Sequence, residues 1–271
     1  MPRRITTFLT TAILVAGILC VAQPAVAQQS DYEPDRLADG RPNLNGIWQS
    51  LNEANWNIEA HAADFPVLLD LGAQFAVPPG TGVVLGGPLP YLPEALERRD
   101  ANFEDRLALD PEVKCYMPGI PRAAYMPYPF QIIQSQDVIL FSYEVAGAAR
   151  IINMGEPTEA PAESWMGWSN GHWEGDTLVI DVTAQTDQTW FDRSGNHHGF
   201  DLHVVERYTP RSADTLIYEA TIEDPGTFSR PWTMSMPLYR RVEDNAQIME
   251  FKCPEFAEEV LYGDLRKPTE D

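Results

Sequence analysis

Residues 172–183 read His-Trp-Glu-Gly-Asp-Thr-Leu-Val-Ile-Asp-Val-Thr. A turn signal at Glu174-Gly175-Asp176 is followed by Leu178, Ile180 and Val182 at every second position. Side chains of an extended strand point alternately to opposite faces, so a period of two marks a strand with one apolar face. The same period recurs on both sides of this stretch. Ile139, Phe141, Tyr143 and Val145 alternate with more polar neighbours, as do Leu216, Tyr218, Ala220 and Ile222, and then Met249, Phe251 and Cys253. Turn signals at Ser135-Gln136-Asp137, Ser212-Ala213-Asp214 and Asp244-Asn245 separate them. Many short strands of this kind predict an all-β fold, an antiparallel meander closing into a barrel, because closure hides the unpaired edges.

The rest of the chain is irregular. Leu44 to Gln49 reads as the start of a first strand, after a polar leader over 28–44. One barrel domain is expected over 45–265, with residues 51–129 as a loop-and-helix insertion. In that insertion the aliphatic piece Phe65 to Leu71 precedes a Pro/Gly-rich run over 78–90, which breaks regular structure and reads as a long loop or lid. Pro93 through Arg106 is the one expected helix: Pro sits in the first turn, and Leu92, Ala95, Leu96, Arg99 and Phe103 recur at three- and four-residue steps. Pro118, Pro121, Pro127 and Pro129 then keep residues 115–129 out of a sheet interior, since proline donates no ladder bond. That stiff segment could wall a pocket with Tyr116, Met117, Tyr125, Met126 and Tyr128, or cover a barrel end. Arg230-Pro231-Trp232 reads as a further hairpin turn, with Arg230 a possible carboxylate contact.

Residues 1–27 read as a signal peptide. Arg3 and Arg4 precede a short apolar run from Phe8 to Val21, and Ala25-Val26-Ala27 supplies a cleavage pattern. The run is too short for a stable membrane span, so no span is expected after cleavage. Its removal takes away two arginines and no acid, moving the formal net charge from −21 to −23. Such an acidic surface repels phosphate backbones and anionic lipid, which excludes nucleic acid and membrane surfaces as partners. Periplasmic or secreted localisation follows. Two cysteines survive processing, and an even count in an oxidising compartment predicts a Cys115–Cys253 disulfide.

Trp165 to Tyr208 holds four of the seven tryptophans and four of the five histidines, and is where chemistry is expected. His198 and His203 are candidate proton carriers near neutral pH, with Asp192 available to fix a tautomer. Along an extended Leu202–Tyr208, His203 and Arg207 share one face and Glu206 takes the other. Buried inside a barrel, Glu206 would become a usable acid or base. Arg207, Trp168, Trp190 and Tyr128 are candidate substrate contacts, with the tryptophans equally eligible as core. His197, His198, His203 and Asp192 are metal-ligand types, but no HExxH or paired CxxC spacing organises them, so a metal is the less favoured use. Gly167-Trp168-Ser169-Asn170-Gly171 matches Gly-x-Ser-x-Gly without the strand–turn–helix context of a nucleophile elbow.

Gly46-Ile47-Trp48 resembles the Gly-x-Trp that opens lipocalins and related calycin barrels. That resemblance implies about eight strands, a tryptophan plugging one end and room for one small ligand. A broader resemblance runs from Gly40-Arg41-Pro42 through Trp165-Met166-Gly167, Gly171 to Val179, and Trp190-Phe191-Asp192 to Arg207. In these motifs the chain is similar to a widespread group of exported bacterial proteins. The likeness implies a single exported domain and carries no activity. The chain departs from the group at Gly195-Asn196-His197-His198, where the group tends to read Gly-His-Pro-His. The leading expectation is a periplasmic enzyme using cofactor-free general acid/base chemistry, of lyase, isomerase or hydratase type, on a small apolar or aromatic molecule. The alternatives are a non-catalytic periplasmic binding protein for such a molecule and a metal-dependent hydrolase. Oligomeric state is left open.

Overall fold

The computed structural model describes residues 32–65 and 76–255. The expected signal peptide, most of the aliphatic piece ending at Leu71 and the expected domain end beyond 255 lie outside the described residues.

Nine strands form a closed barrel in sequence order. They are β1 (Gly46–Ser50), β2 (Phe130–Gln134), β3 (Val138–Tyr143), β4 (Ala149–Asn153), β5 (Trp168–Glu174), β6 (Thr177–Thr183), β7 (His203–Ser212), β8 (Thr215–Glu223) and β9 (Trp232–Arg240). The all-β barrel expectation holds, with one change of detail. A ring of strictly alternating strands needs an even number, so nine strands must include a parallel pair. That pair is β4–β5, joined at Ile152–Ser169 and Asn153–Asn170, while every other pairing, including β1–β9, is antiparallel. A parallel pair cannot be linked by a tight hairpin, and residues 154–167 make the crossover.

The alternation works as expected on the inward face. Leu178, Ile180, Val182, Val204, Leu216, Tyr218, Ala220, Ile222, Phe141 and Tyr143 are all buried in one core. The last strand is a correction. Met249, Phe251 and Cys253 lie in irregular chain, and β9 is Trp232–Arg240, where Trp232, Met234, Met236 and Leu238 alternate inward. Pro231 and Pro237 give this strand the look of a turn. Because β9 closes onto β1, no edge remains for residues 249–253 to extend. They pack instead on the side of the barrel, Phe251 edge-on to Tyr128. The helix α1 spans Pro93–Glu104, followed by the single turn α2 (Arg106–Leu109).

Trp48 plugs one end of the barrel, 1% exposed, with its indole N–H donating to Leu44 O. The Arg240 guanidinium lies over its ring at 4.2 Å. Gly46 makes that stack possible, because a Cβ there would sit 2.1 Å from Arg240 Nη1. The Gly-x-Trp spacing therefore has a local cause in this chain. The opposite end is capped by Phe191, Phe228 and Trp232, which meet edge-to-face or tilted.

The Cys115–Cys253 disulfide is formed across a sequence separation of 138 residues. Among the described residues no helix is long and apolar enough to cross a membrane. Replacing both cysteines by serine should cost about 2–5 kcal/mol, because the unfolded chain regains the freedom of a long loop. Guanidinium unfolding of the two proteins side by side measures it; a difference below about 1 kcal/mol would show that the bond adds little to the noncovalent fold.

Candidate functional site

The expected site residues fall in four separate places. The first is the barrel lumen, where β7 turns Glu206 fully inward. Its Oε1 accepts hydrogen bonds from the hydroxyls of Tyr208 (2.9 Å) and Tyr218 (2.8 Å), and its Oε2 lies 2.7 Å from Arg150 Nη2. Arg150 crosses the lumen from β4. It donates to Ser169 Oγ on β5 and Tyr208 Oη on β7, both at 3.4 Å, and stacks on the Phe141 ring. Burial alone would drive the Arg150 pKa down. The Glu206 carboxylate, with Tyr143 and Tyr208, instead holds it above its ordinary value. Burial drives the Tyr208 and Tyr218 pKa values well above 10, so both keep their protons and act as donors. Glu206 does face inward, but as an ion-paired acceptor locked by three neighbours.

The second place is the crown, the loop between β6 and β7. Phe191 N–H bonds Asn196 O, forming a tight turn around Asp192. Asp192 accepts from the backbone N–H groups of Ile58, Ser194 and Asn196 and from Asn196 Nδ2, so it ties its own turn to the chain segment at Ile58. Burial pushes its pKa up to about 6, against the pull of those donors. Helix α1 lies directly on this turn. Gly195 has φ +81° and a Cβ there would meet Arg99 O at 2.6 Å, so neither the conformation nor the contact admits a side chain.

His198 is buried in the crown. Its Nδ1 faces the Gly199 carbonyl at 2.8 Å and must carry the proton, which leaves Nε2 to accept from Thr189 Oγ1 at 2.7 Å. The Gly199 carbonyl, rather than Asp192, fixes the tautomer. Both nitrogens are committed and burial lowers the pKa, so His198 is a neutral structural imidazole. His197 stacks on Tyr91, and burial lowers its pKa to about 4. Trp190, 7% exposed, belongs to the same packed layer.

The third place is the outside of the barrel. His203 and Arg207 share a face as expected, and it is the solvent face. His203 Nε2 pairs with Asp181 at 2.9 Å and Arg207 with Glu174 at 2.9 Å. Trp168 also points outward from β5 and donates to Thr158 Oγ1. The proton carriers His198, His203, Asp192 and Glu206 therefore do not converge, and Arg207 and Trp168 cannot reach the lumen. Ser169 lies in strand β5 against Arg150, without an elbow. Among the described residues no group of three His, Cys, Asp or Glu could hold a metal ion.

The fourth place holds Tyr128. Together with Tyr116, Met126, Val145 and Phe251 it lines a cleft of about 200 Å³. Three of the five side chains expected to wall a pocket are in this wall. The disulfide forms part of it, and Glu112 supplies its carboxylate. Glu112 is bonded to the buried Arg122 at 2.9 Å and lies 3.8 Å from Arg193, while Arg122 also grips Asp110 through two nitrogens. These two acids and two arginines balance one another, and Lys252, also in the wall, pairs with Glu250 at 2.6 Å.

The lumen pair was not anticipated from the arginine side. Its signal is Ala148-Ala149-Arg150-Ile151-Ile152, a lone cation in an apolar run, which a strand can bury only with a partner. A scan of protein-family models finds no family that matches this chain, and a search of curated proteins finds no match.

Three outcomes follow from this geometry. Arg150→Met should cost about 3–5 kcal/mol, since it strands the Glu206 charge in the core; unfolding curves measure this, and a loss near zero would mean that Glu206 reaches water. Tyr143→Phe should change stability by less than about 1 kcal/mol, because that buried hydroxyl lies near Arg150 without a well-formed hydrogen bond. A loss above about 1 kcal/mol would instead reveal a hydrogen bond there. Stability should also fall as pH drops from 6.5 towards 4. His197 and His198 are held neutral in the folded chain while the unfolded chain takes up protons in that window. Asp192, whose pKa is raised, opposes the fall below about pH 6. His197→Phe should flatten the slope in a pH series of thermal melts, and an unchanged slope contradicts the assignment.

Proposed function

We propose that this chain is an exported binding protein that holds a small, neutral, apolar or aromatic molecule in the cleft beside the Cys115–Cys253 bond. The observation that carries the reading is the convergence of Tyr116, Met126, Tyr128, Val145 and Phe251 on one concave surface with a single carboxylate, Glu112, in its wall. Mostly apolar walls with few polar groups are the usual make-up of a small-molecule site. At about 200 Å³ the cleft suits one ring or a short aliphatic chain rather than a drug-sized ligand. Glu112 is balanced by Arg122 and Arg193, and Lys252, which also lines the cleft, pairs with Glu250, so every formal charge in the wall has a counter-ion. Export is supported by the sequence features of residues 1–27 and by a disulfide of the kind oxidising compartments permit.

A lyase, isomerase or hydratase of the expected kind would need an acid and a base working as a pair at the ligand. Glu112, whose Oε2 meets both arginines, has no imidazole or second carboxylate beside it in the cleft wall, and the expected carriers lie elsewhere. Binding without turnover is therefore the reading that the geometry favours. In titrations with a panel of single-ring phenols, aromatic hydrocarbons and short alkanes, Tyr128→Ala should raise Kd about tenfold, equivalent to about 1.4 kcal/mol. Ligand recovered after prolonged incubation should be chemically unchanged. Binding indifferent to Tyr128→Ala moves the site elsewhere, and altered ligand restores the enzyme reading.

A further inference from the structure

We infer that the molecule held in this cleft carries a hydrogen-bond donor, a hydroxyl or ring N–H, and gives it to Oε1 of Glu112. The inference rests on the cleft reading given above and narrows its ligand to a neutral ring with a donor. Glu112 lies in the 3-10 turn Pro111–Lys114, and its backbone N–H donates to Asp110 Oδ1 at 2.9 Å. Its Oε2 accepts from Arg122 Nη2 at 2.9 Å. Arg122 is itself fixed on several sides. It is 1% exposed, donates through Nη1 and Nη2 to the two oxygens of Asp110 at 2.8 and 3.2 Å, and through Nε to Asn55 at 3.0 Å. A carboxylate tied by one oxygen to so rigid a fork has its other oxygen held in place too. Among the described residues no donor meets Oε1, and Glu112 keeps 26% of its side chain exposed in the cleft wall.

The surroundings of that acceptor decide what it selects. Tyr128 stands edge-on to Phe251 and Tyr116 is tilted against Trp165, so the aromatic walls are braced. In about 200 Å³ a seated ring leaves little room for the water that solvates Oε1. A hydrocarbon puts nothing in place of that water and leaves a charged acceptor unsatisfied, which opposes binding. A ligand O–H or N–H replaces it with a charge-assisted bond, the stronger kind. Ligand charge is constrained by the same wall, whose charged side chains are Glu112, Arg193 and Lys252. A cationic ring would gain at Glu112 but meet two like charges. An anionic ring would find both cations already paired, Arg193 with Glu112 at 3.8 Å and Lys252 with Glu250 at 2.6 Å. It would also face Oε1 with no proton to give. A neutral donor answers the acceptor without either cost.

Calorimetric titration of the full mature chain with a matched series of single rings tests this. Phenol should bind about tenfold more tightly than toluene, which has a methyl in place of the hydroxyl, and than anisole, which keeps the oxygen but not its proton. Transfer from water alone gives the reverse order, because both controls are the more apolar molecules. Benzylammonium and benzoate should bind more weakly than phenol. In Glu112→Gln the amide carbonyl serves Arg122 and the NH2 faces the cleft, so the advantage of phenol should shrink to about twofold or less. Far-UV spectra check the fold of the variant, and the wild-type series decides the question even if the variant unfolds. The proposal is overturned if toluene or anisole binds the wild type as tightly as phenol, or if either charged ring binds more tightly. It is equally overturned if folded Glu112→Gln retains the preference. In each of these cases, weaker binding to Tyr128→Ala shows that the cleft is still the site. Binding of no ring in the series, or binding indifferent to Tyr128→Ala, overturns the cleft reading and this proposal with it.

Discussion

An odd-stranded ring has to contain one parallel seam, and the interior of this barrel is arranged around bracing it. At β4–β5 the pairing is carried by Ile152–Ser169 and Asn153–Asn170. The Arg150 side chain starts beside that seam, touches Ser169 across it, and reaches Glu206 and Tyr208 on the far wall. A buried ion pair of this kind is a poor source of net stability, because desolvation consumes much of its attraction. Its effect is on specificity: β4, β5 and β7 cannot shift register without stranding a charge in hydrocarbon. Tyr208, Tyr218 and Phe141 complete the enclosure, so the centre of the lumen is occupied by a fixed polar strut.

That arrangement explains where ligand chemistry is absent and where it remains. In the lumen and crown the expected proton carriers are held by protein partners, although the Tyr143 hydroxyl, Arg150 Nε and His197 Nδ1 are buried without a hydrogen bond. His198 is satisfied by Thr189 and Gly199, and Asp192 by four N–H donors. These are the marks of groups that shape loops. The cleft beside the disulfide differs in kind, since the Tyr116, Tyr128 and Phe251 rings have exposed faces and its one carboxylate has arginine counter-ions.

Much of the barrel could be read from the sequence because alternation is strong wherever one face is buried. Leu178-Val179-Ile180 and Leu216 to Ile222 announce their strands, and the pairing of His203 with Arg207 on the face opposite Glu206 follows from the pleat alone. Which face points inward did not follow, since both carry ionisable groups; only the partner on β4, over fifty residues away, decides it. The closing strand was obscured by Pro231 and Pro237. The apparent strand at 249–253 had the right period but no edge to join, a property of the whole ring that no local window contains. The histidines illustrate the same limit, because a proton carrier and a satisfied core imidazole are spelled alike. Tyr128 was legible as a wall residue because prolines on either side bar it from any sheet.

The disulfide has a topological consequence. Cys115 precedes β2 and Cys253 follows β9, so eight of the nine strands belong to one covalent ring, and β1 alone lies outside it. A protease that nicks any single loop between residues 115 and 253 leaves one molecule, its two pieces still tied together and able to re-close. A cut between β1 and Cys115 has the opposite result: it frees the strand bearing Trp48, and with it the plug at that end of the barrel.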